Sequence, residues 1–273
     1  MEVSLLSSQI QPEGERDIDD TMLTVRRGIE VIRAFRAARV ALGNVDIVKR
    51  TNIPKASVSR ITSTLISLGL LVRVPGTRKF QIGTRPLSIG QAYLDASPMA
   101  RLVTPVMQSL ADELGVSSAI ATRAGLQMLY VAYRKSENIS TLRLGVGSLL
   151  PLDVTSVGRA YLWGMNESER DKVIEQIRVA SGTKAEQRLK GISDAFTDLR
   201  THGICMSIVE YQPDAFGVAV PVYLGQARTL MTLNAGAVHE AVTREYLLDV
   251  IREPLTRAAQ NLEKVCQDVD CSL

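Results

Sequence analysis

Residues 53–73 constrain the fold more than any other segment, and they read IPKASVSRITSTLISLGLLVR. Pro54 can begin a helix, and Gly69 can end one in the left-handed conformation. Between them, apolar residues recur at the spacing of one helix face and predict a buried stripe, namely Val58, Ile61, Leu65 and Leu68. The polar side chains are then expected on the exposed faces, namely Ser57, Ser59, Arg60, Thr62 and Ser63. Such a helix presents short hydrogen-bonding groups around one guanidinium.

The segments around this helix predict a winged helix-turn-helix over residues 21–85. A first helix is expected after Thr24, which can cap it. Its apolar residues repeat at helical spacing, namely Val25, Ile29, Ile32 and Phe35. A short second helix, NVDIVKRTN, follows, and its buried residues are expected to be Val45 and Val48 or Ile47. After the third helix, the segment LLVRVPGTRKFQIG predicts a basic hairpin that turns at Pro75-Gly76.

Charge is distributed unevenly along the chain. Residues 21–85 carry thirteen Lys or Arg and two acids, a net of +11, whereas the 273-residue chain has a net charge of only +3. Residues 1–20 are acidic, polar and without periodicity, which predicts a disordered arm. The basic block indicates a polyanionic partner for one segment only. A solvated basic surface remains the alternative when charge alone is considered.

The exposed face of the third helix and the hairpin suit double-stranded DNA. Short hydroxyl side chains let a recognition helix approach base edges and phosphates, and Arg60 can reach a phosphate or a guanine edge. Serine and threonine are mediocre helix formers, so a neutral exposed surface gives little reason for so many of them. The candidate DNA-binding residues are Arg26, Arg27, Lys55, Ser57, Ser59, Arg60, Thr62, Ser63, Arg73, Arg78 and Lys79.

The remainder of the chain predicts a second, larger domain. Residues 86–98 predict a linker helix in which Leu87, Ile89 and Tyr93 are partly buried. Residues 99–273 then alternate helices and strands, including a strand STLRLGV, and predict a mostly antiparallel sheet flanked by helices. The fold class is therefore α+β, with small-molecule sensing and oligomerisation assigned to residues 99–273.

Motifs for other functions are missing from the sequence. It has no GxSxG, no GxGxxG after a strand and no P-loop, which disfavours an enzyme. Its three cysteines and two histidines show no metal-ligand spacing, so neither a metal nor another cofactor is predicted. Glu210 is expected to be buried and to cap a helix or form an ion pair rather than act as a base, and Cys205 is expected to lie in the core. Without an apolar run or a signal peptide, no membrane association is predicted, and a reducing cytoplasm fits.

At the level of motifs, the chain from about Leu23 onward resembles the IclR family of transcriptional regulators. The similar segments are IPKASVSRITSTLISLGLLVRV with KFQIGTRPLSIGQAYL, then LGVGSLLPLDVTSVGRAYL, then Glu210 with FGVAVPVY and LMTLNAG. The resemblance implies a winged helix, a linker helix and a C-terminal effector domain related to GAF folds. It implies homodimers, or tetramers formed from two dimers, that bind promoter DNA. It also implies small organic acids or aromatic compounds from catabolic pathways as effectors.

The resemblance places an effector site in the C-terminal domain. The segment DVTSVGR, residues 153–159, begins a helix, and free backbone N–H groups there would suit a carboxylate. Thr232 and Asn234 would share one face of a strand. The implied effector-binding residues are Leu142, Leu150, Ser156, Val157, Gly158, Ser207, Gly217, Thr232 and Asn234. Ser207, Gly217 and Asp153 differ from the residues common in the family at those positions. A ligand-independent DNA-binding or architectural protein remains the alternative function.

Overall fold

A computed structural model of the protein describes residues 22–35, 40–137, 139, 144–238 and 242–271. These residues form two compact units, which divide between Ala96 and Ser97. Within the described residues, no helix has both the length and the apolar character needed to cross a membrane.

The first unit has three packed helices, a small sheet and a fourth helix at its end, and it confirms the predicted winged helix-turn-helix. Its helices are α1 (Leu23–Ala34), α2 (Asn44–Thr51), α3 (Lys55–Ser67) and α4 (Arg85–Ala96). Its strands are β1 (Leu42–Gly43), β2 (Leu71–Arg73) and β3 (Lys79–Ile82), in the antiparallel order β1-β3-β2. The buried core is aliphatic and aromatic, and consists of Val31, Phe35, Leu42, Ile47, Ile53, Val58, Leu65, Leu71 and Phe80.

The predictions for α1 are partly wrong. The helix begins at Leu23, so Thr24 lies inside it and does not cap it. Val25 is 59% exposed and Ile29 is also exposed, whereas Val31 is fully buried. The buried face therefore lies in the C-terminal half of the helix, where it meets α2 and α3, and the N-terminal half keeps its apolar residues at the surface.

The second and third helices also correct details of the predicted core. Ile47 is the buried residue of α2, while Val45 is exposed. In α3 the buried residues are Val58, Thr62 and Leu65, and Leu68 is half exposed because the helix has already ended. Gly69 takes the left-handed conformation with φ of +70°, as predicted for the helix stop.

Helix α4, the predicted linker, exposes its apolar side chains. Leu87 is 75% exposed and Ile89 is 67% exposed, and Tyr93 is exposed as well. The prediction that these three residues are partly buried is therefore wrong. The helix has no buried residue at all over its described length. Apolar side chains are thus left at the surface of the first unit.

The second unit is a six-stranded antiparallel sheet with helices on both faces. Its strands are β4 (Ser117–Ala124), β5 (Gln127–Lys135), β6 (Leu149–Pro151), β7 (Cys205–Ile208), β8 (Ala215–Leu224) and β9 (Thr229–Val238). The strand order is β6-β5-β4-β9-β8-β7. Its helices are α5 (Pro98–Leu114), α6 (Ser156–Gly164), α7 (Glu167–Ser181), α8 (Ala185–His202), α9 (Arg244–Tyr246) and α10 (Arg252–Val265).

The two faces of this sheet have separate cores. One core joins the sheet to α5 and α10 and is almost entirely aliphatic. The other joins it to α6, α7 and α8 and includes tyrosines. Between α9 and α10 the chain forms a π-helical turn at Leu247–Ile251. Most of the predicted strand STLRLGV, residues 140–143, lies outside the described residues.

Candidate DNA-binding surface and effector cavity

The exposed face of α3 carries most of the predicted DNA-binding residues. Lys55, Ser59, Arg60 and Ser63 are exposed, and Ser57 is half-buried. The Ser63 hydroxyl donates to the Ser59 carbonyl oxygen at 2.9 Å, which holds it close to the helix and leaves its lone pairs free to accept. The helix thus presents a face of short polar side chains around Arg60. Contact of this face with DNA stays a prediction.

The β2–β3 hairpin forms a basic wing beside this helix. Arg73, Arg78 and Lys79 are all exposed. The Arg73 guanidinium lies 5.5 Å from the centre of the Phe80 ring, which orients it by a cation–π contact. On α1, Arg26 is exposed and forms an ion pair with Glu30 at 3.8 Å, and Arg27 is half-buried.

Thr62 does not belong to this surface, and its assignment to DNA binding is wrong. It is 2% exposed, and its hydroxyl donates to the Val58 carbonyl oxygen at 2.9 Å. Helical geometry places position 62 on the same face as positions 58 and 65, which are buried. A threonine can occupy this core position because its polar atom is satisfied by the backbone of its own helix.

In the second unit a cavity lies between the sheet and α6. The cavity and its mouth together hold about 520 Å³ of empty space, part of which is open to solvent. Six predicted residues line it, namely Leu150, Ser156, Val157, Ser207, Gly217 and Asn234. Further lining residues were not predicted, namely Ser117, Tyr130, Leu144, Thr155, Tyr211, Gln212, Ala215, Phe216, Gly236 and Ala237. Leu142 lies outside the described residues.

The start of α6 forms one wall of the cavity. Thr155 caps the helix, since its hydroxyl oxygen accepts from the Gly158 amide at 3.2 Å. The first helical hydrogen bond runs from the Arg159 amide to the Thr155 carbonyl oxygen at 3.0 Å. The amides of Ser156 and Val157 precede that bond and have no intrahelical acceptor. They are available to an anion, and the helix dipole favours one there.

Gly158 and Thr232 do not line the cavity, contrary to the predictions. A Cβ atom at position 158 would overlap the backbone of Leu152, so this glycine permits close packing behind the wall. Thr232 is fully buried, and its hydroxyl donates to the Ala121 carbonyl oxygen at 3.4 Å. It shares a strand face with Asn234, but two residues span about 7 Å along a strand, which carries Thr232 past the end of the cavity.

Asn234 is the centre of a buried polar network in the cavity wall. The Tyr130 hydroxyl donates to its side-chain oxygen at 3.2 Å, and its amide nitrogen lies 3.5 Å from the Ser156 hydroxyl. Burial, reinforced by the nearby tyrosines Tyr133 and Tyr211, raises the pKa of Tyr130. Tyr130 therefore stays a protonated donor at neutral pH. Gly217 lies opposite, where a Cβ atom would come 2.7 Å from the Ser156 hydroxyl oxygen.

The described residues that line the cavity include no charged side chain. Its walls combine hydroxyl and amide groups with aliphatic and aromatic surface, as in Leu150, Val157 and Phe216. Such a site suits a small molecule with an apolar body and polar ends. Tyr130 could have been suspected from its position in a predicted strand of a chain with only 4% aromatic residues. Tyr211 and Gln212 gave no comparable sequence signal, because they lie in a connection between strands.

Glu210 forms an ion pair, as predicted. Its carboxylate accepts two hydrogen bonds from the Arg159 guanidinium, at 2.9 and 2.6 Å. Cys205 is fully buried, and burial raises the pKa of its thiol to about 12, which keeps it protonated. In the described part of the chain, no group of three or more His, Cys, Asp or Glu side chains is arranged to hold a metal ion.

Known proteins match both parts of this chain. The IclR helix-turn-helix domain matches residues 24–75, and the C-terminal domain of bacterial IclR transcriptional regulators matches residues 91–264. The Pca regulon regulatory protein of Pseudomonas putida is 29% identical over 245 residues, covering 89% of this chain and 84% of that protein.

Solved structures share the fold over nearly the whole chain. An IclR family transcriptional regulator from Brucella abortus superimposes with a TM-score of 0.83 at 32% identity, covering 96% of this chain and 99% of that one. An IclR homologue from Microbacterium hydrocarbonoxydans, complexed with 4-hydroxybenzoate, has a TM-score of 0.63 at 19% identity, covering 89% and 98%. The chain is therefore a DNA-binding transcriptional regulator rather than an enzyme, and it belongs to the IclR family.

Proposed function

We propose that this protein binds the promoter of a catabolic operon and represses or activates it under control of a small aromatic or other organic acid. The observation that carries this proposal is the cavity of the second unit, which is lined both by the start of α6 with its free amides and by the Tyr130–Asn234 pair of the sheet. The 4-hydroxybenzoate bound by one structural neighbour, and the Pca regulon controlled by one relative, support this class of effector. Because its target is promoter DNA, the protein acts in the cytoplasm.

In the proposed complex, the effector carboxylate binds the amides of Ser156 and Val157. A helix N-terminus stabilises an anion without a cationic side chain, which fits the neutral lining of the described cavity. The apolar body packs on Leu150 and Phe216, and a second polar group bonds to the Tyr130–Asn234 network. Other contacts come from lining residues in the strands and in the β7–β8 connection, namely Ser207, Tyr211, Gln212 and Gly217.

DNA binding is assigned to the first unit. Helix α3 enters the major groove with Ser57, Ser59, Arg60 and Ser63 towards the bases, as recognition helices of this motif do. The remaining basic residues bind phosphates and set the register, namely Arg26, Arg27, Lys55, Arg73, Arg78 and Lys79.

The protein is proposed to act as a homodimer or as a dimer of dimers. The apolar side chains Leu87 and Ile89 of α4 are exposed in the first unit, and so are Val25 and Ile29 on α1. Exposed apolar surface of this extent on one small unit is typical of a protein interface. Two copies of α3 would then read two half-sites of one operator.

Fluorescence anisotropy tests the DNA-binding part of the proposal. The DNA upstream of the protein's own gene is compared with a scrambled duplex over a range of salt concentrations. We expect specific binding that survives moderate salt and is lost in Arg60→Ala, but kept in Arg257→Ala, an exposed arginine of α10. Equal binding to both duplexes with a steep salt dependence would contradict sequence-specific recognition.

A thermal-shift screen with 4-hydroxybenzoate and related acids tests the effector. A ligand of the native state stabilises it by about 2.7 kcal/mol at a hundredfold excess over its dissociation constant. We expect stabilisation by at least one acid and a change in operator affinity with the same acid. If no acid changes either quantity, the ligand-independent DNA-binding protein becomes the better description.

A further inference from the structure

We propose that Arg159 and Glu210 are a positioning pair that holds two walls of the effector cavity together and thereby sets effector affinity. This inference rests on the proposed function, because it takes the cavity to be the effector site. Neither residue lines the cavity. Both are adjacent to segments that do, namely the start of α6 and the connection of residues 209–214 between β7 and β8.

The guanidinium of Arg159 is buried and donates three hydrogen bonds. Its side chain is 4% exposed, and its Nε donates to the Asp153 carbonyl oxygen at 2.8 Å. Its two terminal nitrogens donate to the two carboxylate oxygens of Glu210. One side chain therefore ties the segment before α6 to the β7–β8 connection. A bidentate pair of this kind fixes orientation as well as distance.

The fold makes room for this guanidinium. Gly191 on α8 lies against it, and a Cβ atom there would overlap the terminal nitrogen that bonds to Glu210. On the same helix, Arg188 forms an ion pair with the Asp153 carboxylate at 3.5 Å. Three elements distant in sequence thus meet at Arg159, and the packing leaves its side chain a single position.

The β7–β8 connection needs such an anchor because part of its backbone is strained. Val209 has a φ of +59°, a left-handed conformation that is unfavourable for a β-branched residue. Its side chain is exposed, so no burial of apolar surface offsets this strain. Glu210 follows directly, and the next two residues, Tyr211 and Gln212, line the cavity. The ion pair therefore sits where it can hold both wall residues in place.

Hydrogen–deuterium exchange of the ligand-free, full-length protein tests the positioning role without any effector. We expect Glu210→Gln to increase exchange at least threefold in peptides covering residues 153–159 and 207–215. The matched control is Glu175→Gln, which removes the same charge from the bidentate pair with Arg178 on α7 and should leave those peptides unchanged. Unchanged exchange in Glu210→Gln would overturn the inference.

Binding of 4-hydroxybenzoate, measured by calorimetry, tests the link to the effector. We expect Glu210→Gln to raise the dissociation constant at least tenfold and Glu210→Asp, which keeps the charge on a shorter stem, to raise it less. Operator affinity without the acid should stay at the wild-type value, which a general loss of folding would not allow. The link to the effector would be overturned if Glu210→Gln increased exchange in both segments but bound 4-hydroxybenzoate with wild-type affinity.

The same experiments separate this inference from the proposed function. If the wild-type protein does not bind 4-hydroxybenzoate but Glu210→Gln loosens both segments, the positioning role stands and the proposed effector class fails. If Glu210→Gln does not fold, Glu210→Asp carries the exchange measurement, with increased exchange in the same two segments as the supporting result. Unchanged exchange in that folded variant would overturn the inference.

Discussion

At the scale of single residues, the side-chain amide of Asn234 organises the polar part of the cavity lining, which has no charged side chain among its described residues. Its side-chain oxygen accepts from Tyr130, and its nitrogen faces the Ser156 hydroxyl and the Val218 carbonyl oxygen. These bonds fix which end of the amide points into the cavity. A buried network in which every polar group is hydrogen-bonded can discriminate between ligands. A ligand that leaves one of these groups without a hydrogen-bond partner binds more weakly, because that group has lost water and gained no bond.

Removing the Tyr130 hydroxyl should weaken effector binding. In Tyr130→Phe the Asn234 oxygen loses its donor, so we expect the dissociation constant of the bound acid to rise about fivefold to tenfold, with a stability loss of about 1 kcal/mol. The control is Tyr223→Phe, which removes a hydroxyl that donates to the Gly164 carbonyl oxygen at 2.8 Å outside the cavity. It should cost similar stability and leave ligand affinity unchanged, as calorimetry and urea unfolding would measure. Equal loss of affinity in both variants would contradict the role of Tyr130.

Thr62 and Arg60 should separate stability from DNA binding within one helix. Thr62→Ala removes a buried methyl and hydroxyl, so we expect a loss of about 1–2 kcal/mol in unfolding free energy with operator affinity kept. Arg60→Ala should leave stability within about 0.5 kcal/mol of wild type and abolish specific binding. Urea unfolding and anisotropy on the same preparations would measure both. Loss of operator affinity in a folded Thr62→Ala protein would speak for a direct contact at position 62.

At the scale of elements, two structural requirements apply to the first turn of α6. The turn must leave two amides free for a ligand, and it must pack closely on the segment before it. Thr155 and Gly158 reconcile these demands, since the cap satisfies the third amide and the glycine lets the Leu152 backbone approach. A glycine in α4 has no such role, because a Cβ atom at Gly90 would meet open space.

The same substitution should therefore have opposite effects in the two helices. Gly158→Ala forces a Cβ atom into the Leu152 backbone, and we expect it to reduce the unfolding free energy by roughly 1–3 kcal/mol. Gly90→Ala adds a better helix former at an exposed position and should stabilise α4 by up to about 1 kcal/mol. Urea unfolding of both variants measures this difference. A neutral Gly158→Ala protein would show that α6 can shift away from Leu152.

At the scale of the whole molecule, charge and apolar surface separate between the two units. The first unit carries the basic surface and the exposed apolar residues of α1 and α4, while the second carries the larger core and the cavity. This division suits a regulator in which one part binds DNA as a pair and the other senses a ligand. The stability of the second unit rests on two hydrophobic cores that share one sheet.

The exposed apolar side chains of α4 should determine the oligomeric state. Replacing Leu87 and Ile89 together by Asp places charges on the proposed interface, so we expect weaker self-association and lower operator affinity without loss of folding. Val179→Asp is the control, since Val179 is equally exposed on α7 of the second unit. Sedimentation velocity would report the mass of each variant. An unchanged mass in the double variant would exclude α4 from the interface.

Stability should fall in alkaline solution because buried thiols must stay protonated. The pKa of Cys205 rises from 9.0 to about 12 in the folded protein, with burial as the main cause. A group with a raised folded pKa stabilises fully below its unfolded pKa, and the contribution is lost as pH rises from about 9 to about 12. We expect Cys205→Ala to make unfolding free energy less dependent on pH in this range. An identical pH profile in the variant would contradict the assignment.

The sequence by itself determined the winged helix of the first unit, the antiparallel sheet flanked by helices in the second and the helix that begins in DVTSVGR, where the structure has a cavity. Local signals sufficed for these features, because apolar periodicity, a proline, a left-handed glycine and the motif DVTSVGR each act over a few residues. Six of the nine effector-binding residues predicted through the family resemblance line the cavity for the same reason.

Only the tertiary structure decided which of two equivalent faces or positions is used. Thr62 is buried because α2 covers that side of α3, and Thr232 leaves the cavity because β9 runs past its end. Tyr130, Tyr211 and the Arg159–Glu210 pair come together from segments tens of residues apart. Such contacts depend on how strands and helices pack in space, and no local pattern in the sequence records that packing.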